Sequence, residues 1–170
     1  MKKMTTRDLT CGAVIAALYV VLTVMQNALL PGSASMAVQF RVAEALCVLA
    51  LFTPSAVWGL SLGCLIFNLT YAEALPLDWL VGTGATLLAA LAMYFLRNVR
   101  LWKLPLAALL MPAVFNAVLV GWELTAYIGG AFWFNAVCVA AGELGVLLVL
   151  GTALYFALEA GCLHKRLFGR

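Results

Sequence analysis

The chain has 170 residues, 66% of them hydrophobic and 10% charged, with a mean hydropathy of +1.08 and a formal net charge of +3. A soluble domain carries roughly a quarter of charged residues, so this chain cannot cover its own surface with polar groups, which excludes a soluble enzyme or nucleic-acid-binding module. A membrane span needs ~20 apolar residues, so the length suits six short spans in a single bundle over residues 1–170.

The first predicted span runs from about Leu9 to Leu30 and stops at Pro31-Gly32-Ser33. Its basic start resembles a signal n-region, but the apolar run is longer than a signal core and lacks a cleavage site, so it reads as a retained span. The second, about Phe40 to Phe52, is short and ends in the turn Thr53-Pro54-Ser55. The third covers about Ala56 to Tyr71, and the fourth about Leu77 to Leu96. The fifth extends from about Leu104 to Thr125, with a kink expected at Pro112. Gly129-Gly130 breaks the chain before the sixth, from about Trp133 to Leu163.

Nine of the ten basic residues fall in three clusters: Lys2, Lys3 and Arg7; Arg97, Arg100 and Lys103; Lys165, Arg166 and Arg170. Six spans bring all three to one side, which the positive-inside rule makes the cytoplasm, with both termini there. The opposite connections hold Glu73, Asp78 and Glu123 and no Lys or Arg. Arg41 is the exception, near the start of the second span, and Glu44 three residues on is its expected partner.

The remaining polar groups gather in the same external half: Asn68, Asp78, Asn116, Glu123 and, deeper, Glu143. Ionisable groups inside a membrane are expensive, so they mark candidate solute contacts. Glu143 stands out, because a deep carboxylate with no assigned cation must take a proton or meet a ligand donor. Tyr71, Trp79, Trp122, Tyr127 and Trp133 sit at that level too, either as an interfacial belt or as a stacking surface.

Gly12-Ala13-x-x-Ala16-Ala17 places small residues four apart on the first span, a strip that lets another helix approach closely. The five cysteines show no C-x-x-C spacing and read as small packing residues. The single histidine, His164, lies in the basic C-terminal cluster, which excludes a His-rich metal or haem site and a Ser-His dyad within the bilayer. No cofactor is expected.

The stretch Val38-Gln39-Phe40-Arg41-Val42-Ala43-Glu44-Ala45-Leu46, continuing through Pro54 and Gly59-Leu60-x-x-Gly63-Cys64 to Asn68, resembles the queuosine-precursor transporter (QueT) family. Asp78-x-x-x-Gly82-Thr83-x-x-Thr86, Pro112-x-x-x-Asn116 and Gly142-Glu143-Leu144-Gly145 extend the resemblance, in order, along nearly the whole chain. The resemblance implies a substrate-binding (S) component of an energy-coupling-factor importer: a six-helix bundle in a bacterial plasma membrane, working with a coupling transmembrane subunit and two ATPases. It also implies that Ala13 and Ala17 meet the coupling subunit. No P-loop is present, so ATP use is expected elsewhere.

The implied solute is a 7-deazaguanine, and the external half of the bundle offers the parts it needs. A carboxylate suits its adjacent N1–H and 2-amino donors, Asn or Arg41 suits its carbonyl, and aromatic faces suit its flat ring. The expected substrate contacts are Arg41, Glu44, Asn68, Asp78, Asn116, Glu123, Trp133 and Glu143. Two alternatives stay open: an S component for another solute, such as the cationic amine thiamine, and a proton-driven secondary transporter. A membrane enzyme is disfavoured, because no nucleophile–base pair or metal-ligand spacing appears.

Overall fold

The computed structural model describes residues 4–31, 33, 40–71, 75, 77–101 and 104–169. Lys2, Lys3, Val38, Gln39, Glu73, Lys103 and Arg170, all named above, lie outside the described residues.

Helix α1 spans Thr6–Leu29 and opens with a capping box, in which Thr5 and Asp8 each bond the other's backbone N–H. A 3₁₀ helix over Val42–Leu51 follows, then α2 (Ser55–Thr70) and α3 (Asp78–Leu96). A short α4 (Leu106–Leu109) leads into α5 (Met111–Tyr127), and the two are divided at Leu110. The break thus precedes Pro112, which sits in the first turn of α5, where its missing N–H costs nothing. Gly129 and Gly130, at φ 90° and 89°, form the turn into α6 (Phe132–Val146). The chain then continues through a π turn (Leu147–Gly151), α7 (Thr152–Glu159), a 3₁₀ turn (Ala160–Cys162) and α8 (Leu163–Phe168).

The described chain therefore makes six helical passes between two ends. Four are long and apolar enough to cross a membrane, namely Thr6–Leu29, Asp78–Leu96, Leu106–Tyr127 and Phe132–Phe168; Val42–Leu51 and Ser55–Thr70 are shorter. Large apolar side chains point outward along the passes, among them Val14, Val21, Phe134, Val137 and Val149, each at least half exposed. That surface suits acyl chains rather than water.

The first and last described segments meet at one end, where Arg7 donates to the carbonyls of Gly169 at 2.7 Å and Leu167 at 3.0 Å. Arg97, Arg100 and His164 line one cavity at this same end, with Tyr155 and Glu159. The expected gathering of basic groups at one end is present among the described residues. With Leu167 exposed there, a single thiol at Leu167→Cys on a Cys-free background reports its side. Cytoplasmic termini require that an impermeant reagent leave this thiol unlabelled in intact cells. Labelling from outside would overturn that topology.

The 3₁₀ helix is the hub. It packs against α1, α2, α3, α6, the π turn and α7, and eight of its ten residues are buried. At about 2.0 Å rise per residue it reaches ~20 Å, against ~15 Å for the same residues in an α-helix. This length lets a ten-residue segment carry a chain from Arg41 at one end to Phe52 at the other, where Phe52 stacks on Tyr155 and tilts against His164.

Helices α1 and α2 are pressed together by missing side chains. A Cβ on Gly59 would stand 2.6 Å from the Gly12 carbonyl oxygen, and one on Gly63 would stand 2.8 Å from that of Ala16. Only glycine permits backbones that close. This splits the small-residue strip of α1 in two. Gly12 and Ala16 are buried against α2, whereas Ala13 and Ala17 are exposed.

Candidate functional site

A set of buried and half-buried polar groups on five elements lies toward the end of the bundle opposite Arg7 and Leu167. Arg41 and Glu44 come from the start of the 3₁₀ helix, Asn68 from α2, Asp78, Thr83 and Thr86 from α3, Asn116 and Glu123 from α5, and Glu143 from α6. Glu44, Glu123 and Glu143 are each 0% exposed, and Asn116 is 1% exposed.

Glu44 is fully engaged by its own protein. Its Oε1 accepts from the Tyr19 hydroxyl at 2.7 Å and from Thr86 Oγ1 at 3.0 Å, and its Oε2 accepts from Cys47 Sγ at 3.0 Å. Three donors on α1, α3 and the 3₁₀ helix make it a joint between elements. The expected Arg41–Glu44 ion pair does not form; among the described residues the ion pair present is Arg100–Glu159 at 3.7 Å. The reason is local. Arg41 precedes the 3₁₀ helix with ψ 88°, and its guanidinium reaches α3 beside Gly82, where an added Cβ would lie 3.6 Å from Nη1. Its electrostatic neighbours are Tyr19, Asp78 and Glu143.

Asn68 ties α2 to the start of α3 by donating to the Asp78 carbonyl at 2.8 Å. The Asp78 carboxylate accepts from the Leu75 N–H at 3.0 Å. Tyr19, Thr23, Arg41, Phe67, Asn68, Tyr71 and Asp78 enclose a cavity of about 20 Å³. That is near the size of one water and far below the several hundred Å³ of a small-molecule site, so the cavity as it stands is too small for a planar solute.

The deepest group is on the other side of Arg41. Asn116 Nδ2 donates to Glu143 Oε1 at 2.9 Å, which spends one donor and one acceptor. Asn116 Oδ1, Glu143 Oε2 and both oxygens of Glu123 are buried with no hydrogen-bond partner among the described residues. A buried polar atom left unpaired costs about 1–3 kcal/mol, so these four acceptors are where a donor, from water or a solute, would gain most.

The structure brings seven of the eight expected contacts into this region and leaves one out. Trp133 is 76% exposed and lines an apolar groove of about 650 Å³ between α5 and α6, with Ala113, Ala117, Ala136 and Ala140. Trp133 thus stands apart from the buried polar region, facing outward. Interfacial aromatics and stacking aromatics carry the same sequence signal. Phe67 and Tyr71, stacked at 5.1 Å, present a ring surface beside the small cavity.

Three structural contributors are not evident from the sequence. Tyr19 and Thr86 hold Glu44, and Gln26 caps the 3₁₀ helix by accepting from the Val42 N–H at 2.8 Å while its amide donates to Ser33 Oγ at 2.9 Å and to the Phe40 carbonyl. A lone Gln inside an apolar span was the available signal.

A family profile described as QueT transporter matches residues 9–160, which takes in all six passes as far as the start of the C-terminal 3₁₀ turn. The chain belongs to the QueT transporter family. It is a family of transporters, so this member is not an enzyme. The queuosine precursor transporter QueT of Lactococcus lactis subsp. cremoris (strain MG1363) is 36% identical over 90 residues, 51% of this chain and 49% of that protein. The chain thus spans about half the length of this curated relative. No solved structure matches the chain. The residues that carried the family resemblance, from Val38 through Gly145, are within the matched range.

Proposed function

We propose that this QueT-family member binds a queuosine precursor of the 7-deazaguanine type as the S component of an energy-coupling-factor importer, in a six-span bundle of a bacterial plasma membrane. The observation that carries the reading is the unpartnered acceptor set on Asn116 and Glu143, buried between α5 and α6. The base offers adjacent N1–H and 2-amino donors that such acceptors pair, while its carbonyl suits the Arg41 guanidinium on the facing side. The relative from L. lactis, named as a queuosine precursor transporter, supports the same solute class.

The exposed strip on α1 supports the assembly. Gly12 and Ala16 are consumed by packing on α2, so Ala13 and Ala17 remain free to seat a helix of a coupling transmembrane subunit, which in turn joins two ATPases. Because Ala13 and Ala17 touch no part of the buried polar region, binding and transport separate genetically. Ala13→Leu with Ala17→Trp abolishes uptake in cells that carry the ATPase module, and leaves base binding by the isolated protein within about two-fold of wild type. Unchanged uptake in the double variant, or uptake in cells that lack the ATPases, contradicts the S-component reading and favours a stand-alone proton-driven carrier.

A further inference from the structure

The pairing of a guanine-like edge at Asn116 and Glu143 leaves Glu123 without a task. Its side chain is fully buried, neither oxygen has a hydrogen-bond donor among the described residues, and it faces the carboxylate of Asp78 across the α3–α5 contact. Two carboxylates are acceptor-only groups, so they cannot satisfy each other without a proton or a cation between them. The charge balance runs the same way. Glu44, Asp78, Glu123 and Glu143 share this region with Arg41 as the one basic residue among those described, and this single cation is divided among Asp78, Glu123 and Glu143, too few charges to neutralise all of them. Buried charges are paired or neutralised, which leaves room for a positive group at Glu123.

We infer that Glu123 and Asp78 form a subsite for an aliphatic ammonium carried by the ligand, distinct from the acceptors that read its ring. An ammonium brings three donors on a compact charge, enough for both Glu123 oxygens and the open lone pairs of Asp78. The inference rests on the 7-deazaguanine reading and narrows it. The solute is a base whose 7-substituent carries an amine, and the neutral nitrile is the poorer ligand.

The test is calorimetry on the detergent-purified full chain with two probes, 7-aminomethyl-7-deazaguanine and 7-cyano-7-deazaguanine. Wild type is expected to favour the aminomethyl base by about ten-fold or more, as a buried charge pair does over an uncharged contact. In Glu123→Gln the aminomethyl base weakens by about ten-fold while the nitrile changes by less than about three-fold, which also reports that the variant is folded. Asp78→Asn shifts the preference in the same direction and serves if Glu123→Gln does not fold. Equal binding of both probes by wild type, or a preference for the nitrile, overturns the subsite and leaves a proton shared between the carboxyls. So does an equal loss of both probes in a folded Glu123→Gln. If wild type binds neither probe, the 7-deazaguanine reading itself falls, and the ammonium subsite falls with it.

Discussion

Glu143→Gln lowers the affinity for a 7-deazaguanine by about 2–4 kcal/mol, the range expected when one member of a buried, charge-assisted hydrogen-bond set is altered. The substitution keeps the volume of the side chain. Its amide oxygen still accepts from Asn116 Nδ2, the 2.9 Å bond that Oε1 makes now. What changes is the partnerless oxygen, Oε2, which becomes an NH₂ and turns a donor toward the donors of the base. An analogue lacking the 2-amino group binds wild type poorly, because a site built to pair that donor is left with an unpaired acceptor. It loses much less in the glutamine variant. Four affinities, two proteins by two ligands, give a cycle whose coupling term isolates the contact. If Glu143→Gln binds the intact base as tightly as wild type, Glu143 is structural. Glu123 is then the remaining candidate for the ring edge, since Glu44 is already filled by three protein donors.

The largest expected effect on stability comes from Gly63→Leu. A Cβ there meets the Ala16 carbonyl oxygen and Tyr19 Cβ, both at 2.8 Å, so backbone rather than a flexible side chain must move. Helices α1 and α2 must separate, and the Tyr19 hydroxyl is drawn away from Glu44 Oε1, now 2.7 Å distant. Overpacking costs about 1–3 kcal/mol and the loss of a hydrogen bond to a buried charged group about as much again, so the total is ~3 kcal/mol or more. Gly84 is the control: a methyl group added there would have no atom within 4 Å beyond its own helix backbone and chain neighbours, and Gly84→Ala is expected to be neutral or slightly stabilising. Thermal unfolding in detergent distinguishes the two. A Gly63→Leu midpoint equal to that of Gly84→Ala would mean that α1 and α2 do not approach as described.

The passes were legible in the sequence because apolar runs near membrane length are separated by strong stops, such as Thr53-Pro54-Ser55 and Gly129-Gly130. The form of the second pass was not. Hydrophobic periodicity is uninformative where a segment is buried on every side, and Val42–Leu51 is surrounded by six other elements, so nothing marked it as 3₁₀ rather than α. The π turn at Leu147–Gly151 was hidden for the same reason. Within the site, the depth of Glu143 was readable from its isolation in apolar sequence, whereas Glu123, read as part of an outer connection, is as fully buried. The Arg41–Glu44 pairing failed because the three-residue spacing rule presumes that both residues are in the helix, and Arg41 stands before its first turn. The two strips on α1 were equivalent in sequence. Which one packs internally depends on where Gly59 and Gly63 of α2 fall, and that is a tertiary fact.

If the buried acceptors recognise a 7-deazaguanine, this chain alone binds it, without a coupling subunit or ATPases. Titration of 7-aminomethyl-7-deazaguanine into the purified chain, with thiamine as competitor, tests this most directly. The expected result is saturable one-to-one binding that excess thiamine does not displace. Binding of thiamine with none of the base, or no binding of either by a chain that still unfolds cooperatively, would contradict it.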